Sequence, residues 1–597
     1  MRRARWLKAN KATQLPHNVI WCDTETHERK LRKGLVSHHL SFGYACHQRT
    51  YGHGSWTKPR WLRFTKTSQF WKWVESHTRA HSRLFLFAHN WAFDAPVLDM
   101  FTELPARGWT LKRAVVECPP VILKWTKERA TIEVVDTLNW WRMPLAAVGD
   151  SIGLPKLSFP AKTATRAEWN AYGKNDVEII RRVSHSWWEF IARYDLGGFA
   201  PTLAGQSMRA FRHRFMDHPI LIDDNSGALR IARASYHGGR TEAFRLGRLE
   251  GPIYCLDINS MYPAIMANQT FPTILKLFSK RVSIEDLRQW TRKYSVVATV
   301  KLDTKRNDYA HPYQDKLVFP VGRFITSLTT PDIVAALEAG EIKGVVEAAV
   351  YDRKPIFRSF VETLYALRLQ AAEAGNNVDK WLLKILMNSL YGKFAQKGIV
   401  WEDHGPAESI APRSWVEIDA TTGKVYRFRQ FGGLLQQLSQ EVEAASSHPA
   451  IASHVTAYAR RLLSDLIKEA GTENVFYCDT DSIYTNDIGK ARLERHIDPS
   501  RLGALKLEAE YPWLIINGPK DYQTPSARVC KGVKPKAVWL TENRIEQSQW
   551  SRIGGLLAQG QLQAPTTRTL VKVLKRVYGK GTVDRRGYVS PFRLRDW

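Results

Sequence analysis

Cysteine is scarce: six residues in 597 (Cys22, Cys46, Cys118, Cys255, Cys478 and Cys530), none of them in a CxxC pair. That spacing excludes a disulfide framework and a cysteine-rich zinc cluster, and it favours a reducing compartment. Long apolar runs are missing too, and no stretch approaches the length of a membrane span. The basic start MRRARWLKANK is not followed by an apolar core, so it does not read as a signal peptide. Internal repeats and low-complexity tracts are lacking. These absences point to a soluble protein made inside a cell, with no membrane partner. Acidic residues are short as well, 58 against 87 Lys and Arg, for a formal net charge of +29. So one-sided a balance fits a polyanionic partner better than a solubilising surface. The 22 tryptophans, interleaved with basic residues, suit stacking on unpaired bases.

With 44 % hydrophobic and 24 % charged residues the chain is an ordinary globular one, and its length exceeds a single core, so two or more domains are expected. NVIWCDTE at 18–25 reads as a buried strand ending in acids. LFLFAHNWAFDAPVL at 84–98 is apolar around a polar node at Asn90, and AEWNAYGKNDVEIIRRV at 167–183 has helical spacing. A basic stretch with Gly197, Gly198 and Pro201 predicts a domain break near 185–205. Further on, PIYCLDINSMYPAIM at 252–266 reads as strand, turn and helix start. FRSFVETLYALRLQ and WLLKILMNSLYGKF predict two helices, SWVEIDATTGKVYRFR a β-hairpin, and NVFYCDTDSIY two short strands around an acidic turn.

The first acids are Asp23 and Glu25, two apart, so on a strand both project from one face, as a hard cation such as Mg²⁺ requires. Alone, such a pair is usually a solvated strand end. Asp94 adds weight, because a carboxylate inside an apolar stretch is costly without metal or partners. Tyr172 and Asp176 share a face of the predicted helix. Four carboxylates and a tyrosine are enough for two-metal phosphodiester hydrolysis, with Tyr172 orienting the attacking water. A cap or core polar role stays open for Asn90, and a packing role for Tyr172.

A second set lies downstream. Asp257 ends an apolar strand, and Asp479 and Asp481 flank Thr480 at a turn. Either site alone reads as turn residues. Together they place carboxylates at the edge of a buried sheet, as phosphoryl transfer from a nucleoside triphosphate needs. Lys380, Lys384, Asn388 and Tyr391 form one polar stripe on their helix, opposite Trp381, Leu382, Ile385 and Leu386. The stripe reads as a substrate-facing surface, with a solvated lysine face as the alternative.

Asp257-Ile-Asn-Ser-Met-Tyr-Pro, Lys384-Ile-Leu-Met-Asn-Ser-Leu-Tyr-Gly and Tyr477-Cys-Asp-Thr-Asp-Ser resemble motifs A, B and C of family B DNA polymerases. Asp23-Thr-Glu, Asn90-Trp-Ala-Phe-Asp and Tyr172-Gly-Lys-Asn-Asp resemble that family's three exonuclease motifs, and all six stand in the family's order. The resemblance implies an α+β multidomain chain, an RNase H-like 3′→5′ exonuclease domain (1–195) before a right-hand polymerase (196–597). It implies palm at about 250–356 and 446–525 with an insertion at about 270–355, fingers at about 357–397, a second insertion at about 398–446, and thumb at about 526–597. It further implies two ions per active site, Mg²⁺ with Mn²⁺ as an alternative, and dNTP substrates. Asp257 and Asp481 would be the principal metal ligands in the palm, with Asp479 in support. Tyr262 would exclude a 2′-hydroxyl, Lys384 and Arg368 would bind triphosphate, with Lys380 on the same nucleotide-binding stripe, and Asn388 and Tyr391 would shape the base-pair pocket. Met261 replaces the family's usual leucine, a near-isosteric change.

Tyr236-His-Gly238-Gly239 resembles the YxGG segment of the protein-primed members, where it contacts template, and Lys520-Asp-Tyr522 resembles the KxY motif that holds the primer end. Lys156 matches their exonuclease-site lysine, Thr137-Leu138 their single-strand contact, and Asn90 belongs with it. The subgroup implies a terminal protein as primer, a single-stranded-DNA-binding partner, strand displacement on a linear viral or plasmid genome, a monomer, and work in the host cytoplasm. A nucleic-acid-primed relative is the runner-up. A non-enzymatic single-strand binder would leave both acid sets unexplained, and a stand-alone nuclease would leave two-thirds of the chain without purpose.

Overall fold

The computed structural model describes residues 3–51, 55–116, 119–161, 163–407, 411–560 and 562–597. Cys118 lies outside them, and the other five cysteines are free. No described helix is long and apolar enough to cross a membrane.

The N-terminal acids stand on an eleven-stranded sheet. Its centre is β1 (Asn18–Arg32), antiparallel to β2 (Leu35–Tyr51) and parallel to β3 (Arg83–Ala88), which is parallel in turn to β4 (Ala130–Asp136). Period-two alternation splits β1 between two cores. Val19 and Trp21 join the cluster under the long helix α1 (Arg166–Arg193), while Ile20 and Cys22 join Phe70, Trp71 and Trp91 on the other face. A capping box between Thr165 and Glu168 starts α1. The helix runs to Arg193 because Trp187, Trp188, Phe190 and Ile191 bury against the sheet. The break expected near 185–205 therefore begins only at Tyr194.

The second acid set stands on a seven-stranded antiparallel sheet built on β5 (Gly247–Ile258), β6 (Val475–Asp479), β7 (Ser482–Thr485) and β8 (Leu505–Gly518). Two helices, α2 (Arg358–Glu373) and α3 (Asn377–Phe394), pack on each other beside it. Helix α4 (Pro449–Ala470) is buried along most of its length. Residues 271–354 add four strands of a five-stranded sheet. The expected hairpin pairs Arg413–Ile418 with Val425–Phe431, and two more strands extend it to a four-stranded sheet.

Two seams cross the division expected at 195, and a third ties the C-terminus to the five-stranded sheet. Arg5–Trp6 pairs with Leu221–Ile222, so the first residues pack beyond the boundary. Thr566–Val573 extends the eleven-stranded sheet through Leu35–Ser37 of β2, and Arg593–Arg595 runs parallel to Val321–Arg323 in the five-stranded sheet. The C-terminal segment, placed wholly in the thumb on sequence grounds, thus also supplies strands to two other sheets. Each added strand covers a free edge that would otherwise present unpaired backbone groups.

Candidate active sites

Parity on β1 builds the first site. Asp23 and Glu25 continue the Val19–Trp21 face and so point toward α1, which brings Asp176 to them. One carboxylate oxygen of each lies within 4.8 Å of the others. Thr24 points the other way and donates a hydrogen bond to buried Asp94 (2.6 Å). Burial, then neighbouring Asp94 and Asp176, push the Asp23 carboxyl well above the usual range. Burial, then Asp176, lift Glu25 to about 7. Asp94 reaches about 7 through burial, against the Thr24 bond that lowers it, with Asp136 and Glu25 adding to the rise. The cation at hand is Lys156, which contacts Asp176 and sits 4.3 Å above the Tyr172 ring. Burial disfavours its charge, but Asp176 and Tyr172 outweigh that and hold the ammonium above its usual range. The other oxygen of Asp176 is buried with no partner among the described residues.

Asp136 was missed by sequence reasoning. It ends the apolar strand β4, the same signal that marked Asp23. Its carboxylate accepts the backbone N–H groups of Asn90, Trp91 and Leu138 at 2.9 Å each. This fixes the turn on which Asn90 adopts a left-handed φ of 89°. Asn90 is exposed and faces a cleft shared with Phe93, Lys534, Gln549 and Trp550. Thr137 differs from the expectation of a strand contact: it is buried, and its hydroxyl bonds the Ala88 carbonyl (3.1 Å) and His89 Nδ1 (2.9 Å). Its side chain is committed to holding the strand end, and half-buried Leu138 is the more accessible of the two.

The second site forms where β5 meets the β6–β7 turn. Asp257 pairs with Ser482 and Lys506 across the sheet, and Lys506 Nζ stands 3.5 Å from its carboxylate. Lys520 Nζ reaches both oxygens of Asp479 (2.9 and 3.1 Å), and Thr241 donates to it at 3.1 Å. Lys520 therefore engages an acid of the turn, while Tyr522 bonds Tyr484 at 3.3 Å. Burial and then Asp257 raise Asp481 to about 6, with Lys384 opposing. Burial also raises Asp257, opposed by Lys506 and Lys384. Lys384 on α3 thus faces both acids. Lys380, one turn earlier, is exposed.

Arg368 on α2 donates to Ser260 Oγ (3.1 Å), and Ser260 takes a left-handed φ of 51° at the start of the Met261–Asn268 helix. Tyr262 stacks on Tyr391 with ring centroids 4.8 Å apart. Asn388 lies one turn from Tyr391 and donates to the Lys384 carbonyl. The glycine pair has two separate roles. A Cβ on Gly239 would sit 2.7 Å from Thr480, so this glycine lets its loop touch the acidic turn, whereas Gly238 faces open space. Thr480 N donates to the Arg240 carbonyl (2.7 Å), and buried Arg460 donates to the carbonyls of His237 and Gly238. Burial lowers Arg460, with Asp332 the leading group that favours its charge. Arg460 and Lys506 gave no sequence signal, because register and helix packing alone bring them here.

A family profile described as DNA polymerase type B, organellar and viral, matches residues 158–403. The DNA-directed DNA polymerase of Enterobacteria phage PRD1 is 25 % identical over 80 % of this chain and 79 % of its own. The DNA polymerase of Kluyveromyces lactis is 26 % identical over 60 % of this chain, which spans only 38 % of that protein. In fold, the chain is similar to phi29 DNA polymerase complexed with primer-template DNA and incoming nucleotide substrates. That match has a TM-score of 0.67 at 15 % identity, over 94 % of this chain and 100 % of the other. The chain is thus similar to the type B DNA polymerases of organelles and viruses, over residues 158–403 by profile and over most of its length to the phage enzyme.

Proposed function

We propose that this family B DNA polymerase extends DNA at Asp257 and Asp481 and edits 3′ ends at a separate centre formed by Asp23, Glu25, Asp94 and Asp176. The observation that carries the reading is the presence of two acid clusters on two different sheets, each facing lysine. The first cluster fits divalent ions on its own evidence. Three carboxylates converge within 4.8 Å, one buried oxygen of Asp176 has no partner among the described residues, and burial followed by mutual repulsion raises the Asp23 pKa. The second fits through Asp257 and Asp481, the latter raised by burial and then by Asp257. Two divalent ions per site, Mg²⁺ or Mn²⁺, would stabilise charge on the attacking and leaving oxygens.

The chain's own groups do the rest. Lys384 and Arg368 bind the dNTP phosphates, with Lys380 at the outer end of the stripe. Tyr262 lies under the sugar, and Tyr391 and Asn388 bound the pocket for the new pair. Lys520 fixes Asp479, and with Tyr522 bounds the place of the primer terminus. Tyr236, Gly238 and Gly239 contact template beside the acidic turn. In the editing centre Tyr172 orients water, Lys156 steadies Asp176, and Asn90 with Leu138 holds a single strand, supported from beneath by Thr137.

Initiation on a terminal protein, cooperation with a single-stranded-DNA-binding protein, and strand displacement on a linear genome in a host cytoplasm complete the reading. Purified enzyme, template, Mg²⁺ and dNTPs, with and without the protein encoded beside it, test it. Covalent labelling of that protein by the first nucleotide is expected. Extension of nucleic-acid primers only would leave the nucleic-acid-primed reading, and no metal-dependent incorporation at all would overturn synthesis.

A further inference from the structure

Away from both acid clusters, two clefts join at one residue and contain no acid. The first, of about 780 Å³, opens beside Asn388, Tyr391 and Gly392 of α3 and is lined by Arg113, Arg142, Arg209, Arg212 and Lys393. The second, of about 790 Å³, lies between the N-terminal segment 12–17 and the start of β3, and is lined by His17, His81, Arg83, Arg129 and again Arg209. Neither lining includes Asp or Glu. Elsewhere the protein pairs its buried cations: Asp308 alone faces Arg306, Arg461 and Lys468. In the clefts, cation crowds cation. Arg209 has no hydrogen bond or ion pair among the described residues, and its charge is disfavoured by burial and then by Arg212 and Arg83. Lys393 is likewise disfavoured by burial and then by Arg113. The exceptions are slight. Arg83 meets Glu133 at 3.2 Å, Arg212 donates to the Lys8 carbonyl, Lys393 donates to Gln396 Oε1 (2.5 Å), and Arg129 touches His81.

We propose that the second cleft, through Arg83, Arg129 and Arg209, binds the phosphodiester backbone of unpaired template strand before it passes the first cleft to the base-pair pocket. This rests on the synthesis reading above. A small anion would satisfy one cation. A polyanion satisfies a row of them, and the row leads to the side chains that bound the new pair. Counterion release from such a row gives affinity that grows with strand length and falls with salt. Arg83 and Arg129 are exposed, so replacing them removes charge without opening a core.

The test compares primer-templates with about 2 and about 15 unpaired template nucleotides, by equilibrium binding in EDTA, with the salt dependence measured on each. The parent should bind the longer overhang about ten-fold more tightly, and Arg83→Ala with Arg129→Ala should remove most of that gain. The same variant should lower the salt slope on the long template by about 1 to 2, at roughly 0.7 per single-strand phosphate. Affinity for the short overhang and single-nucleotide addition on it should stay within about two-fold, and Arg83→Lys with Arg129→Lys should keep the gain. A parent indifferent to overhang length, or a variant weakened equally on both templates, overturns the proposal. A parent that adds no nucleotide even to the short overhang overturns the synthesis reading instead, so the two failures are distinguishable.

Discussion

The two acid clusters solve the same electrostatic problem in opposite ways. In the N-terminal cluster, Asp23, Glu25 and Asp176 converge with Asp94 and Asp136 behind them, and Lys156 is the cation in contact. In the cluster on the seven-stranded sheet, acids and lysines alternate: Lys506 stands by Asp257, Lys520 holds Asp479, and Lys384 faces both Asp257 and Asp481. The first arrangement stores repulsion that cations must relieve. The second sets lysines against its acids, although burial and Asp257 still raise Asp481, and on the proposed reading it lies open to a substrate that brings its own triphosphate. The lesson is that a converging site binds ions as its main task, whereas an alternating site shares that task with the substrate.

The hardest blow to this comparison is removal of a ligand from the alternating site. Asp481→Ala should cut primer extension by at least about 1,000-fold, because stabilising the transferring phosphate dominates such catalysis, while single-strand digestion survives. Extension within a factor of about 100 of the parent would mean that Asp481 is a turn residue. Next in size, Asp23→Ala with Glu25→Ala should reduce 3′→5′ digestion of a labelled single strand by at least about 100-fold and leave extension intact. Loss of both activities together would show one linked centre and end the comparison.

Much of this was legible in the sequence, for a physical reason. Acids that end or interrupt apolar runs are visible wherever they occur, so Asp23, Glu25, Asp94, Asp257, Asp479 and Asp481 stood out. Period-two parity on β1 even predicts that Asp23 and Glu25 share a face. The basic partners were harder, because cross-strand register sets Lys506 against Asp257 and packing of α4 sets Arg460 beneath the Tyr236 loop. Asp136 was readable and passed over. The burial of Thr137 had no signal, since it depends on the strand beside it. The hairpin at 413–431 followed from alternation, but which of its cations is buried did not: Arg429 lies over Trp401 (4.0 Å), while Lys424 and Arg427 are exposed. Edge pairing by residues 566–573 and 593–595 had no local signal at all.

A smaller effect sharpens the view of the palm as a site shaped by its substrate. Tyr262 stacks on Tyr391 and belongs to a wall, not to the ion site. Tyr262→Val should raise ribonucleotide incorporation relative to deoxyribonucleotide by about 10- to 100-fold, a difference of a few kcal/mol from relieved contact. Unchanged sugar discrimination would reduce Tyr262 to packing.

The smallest effect bears most directly on stored repulsion. Asp94 is buried, accepts from Thr24, and has its carboxyl raised to about 7 by burial first and by Asp136 and Glu25 after that. A carboxyl whose folded pKa exceeds its unfolded value takes up a proton on folding. Its contribution is fully present below about pH 4, the ordinary carboxylate range, and is lost as pH rises to about 7, after which it stays flat. The metal-free protein should therefore lose stability across that window. Asn at this position is neutral at every pH and can still accept from Thr24 through its amide oxygen. In EDTA at pH 8, Asp94→Asn should unfold at a higher temperature than the parent, by about 1–3 kcal/mol in stability, and at pH 5 the gap should narrow. Adding Mn²⁺ at pH 8 should reverse the order, because the parent gains bound ions that the variant holds poorly. Equal unfolding temperatures in EDTA at both pH values would show that the converging cluster stores no strain, leaving ligand geometry alone to separate the two sites.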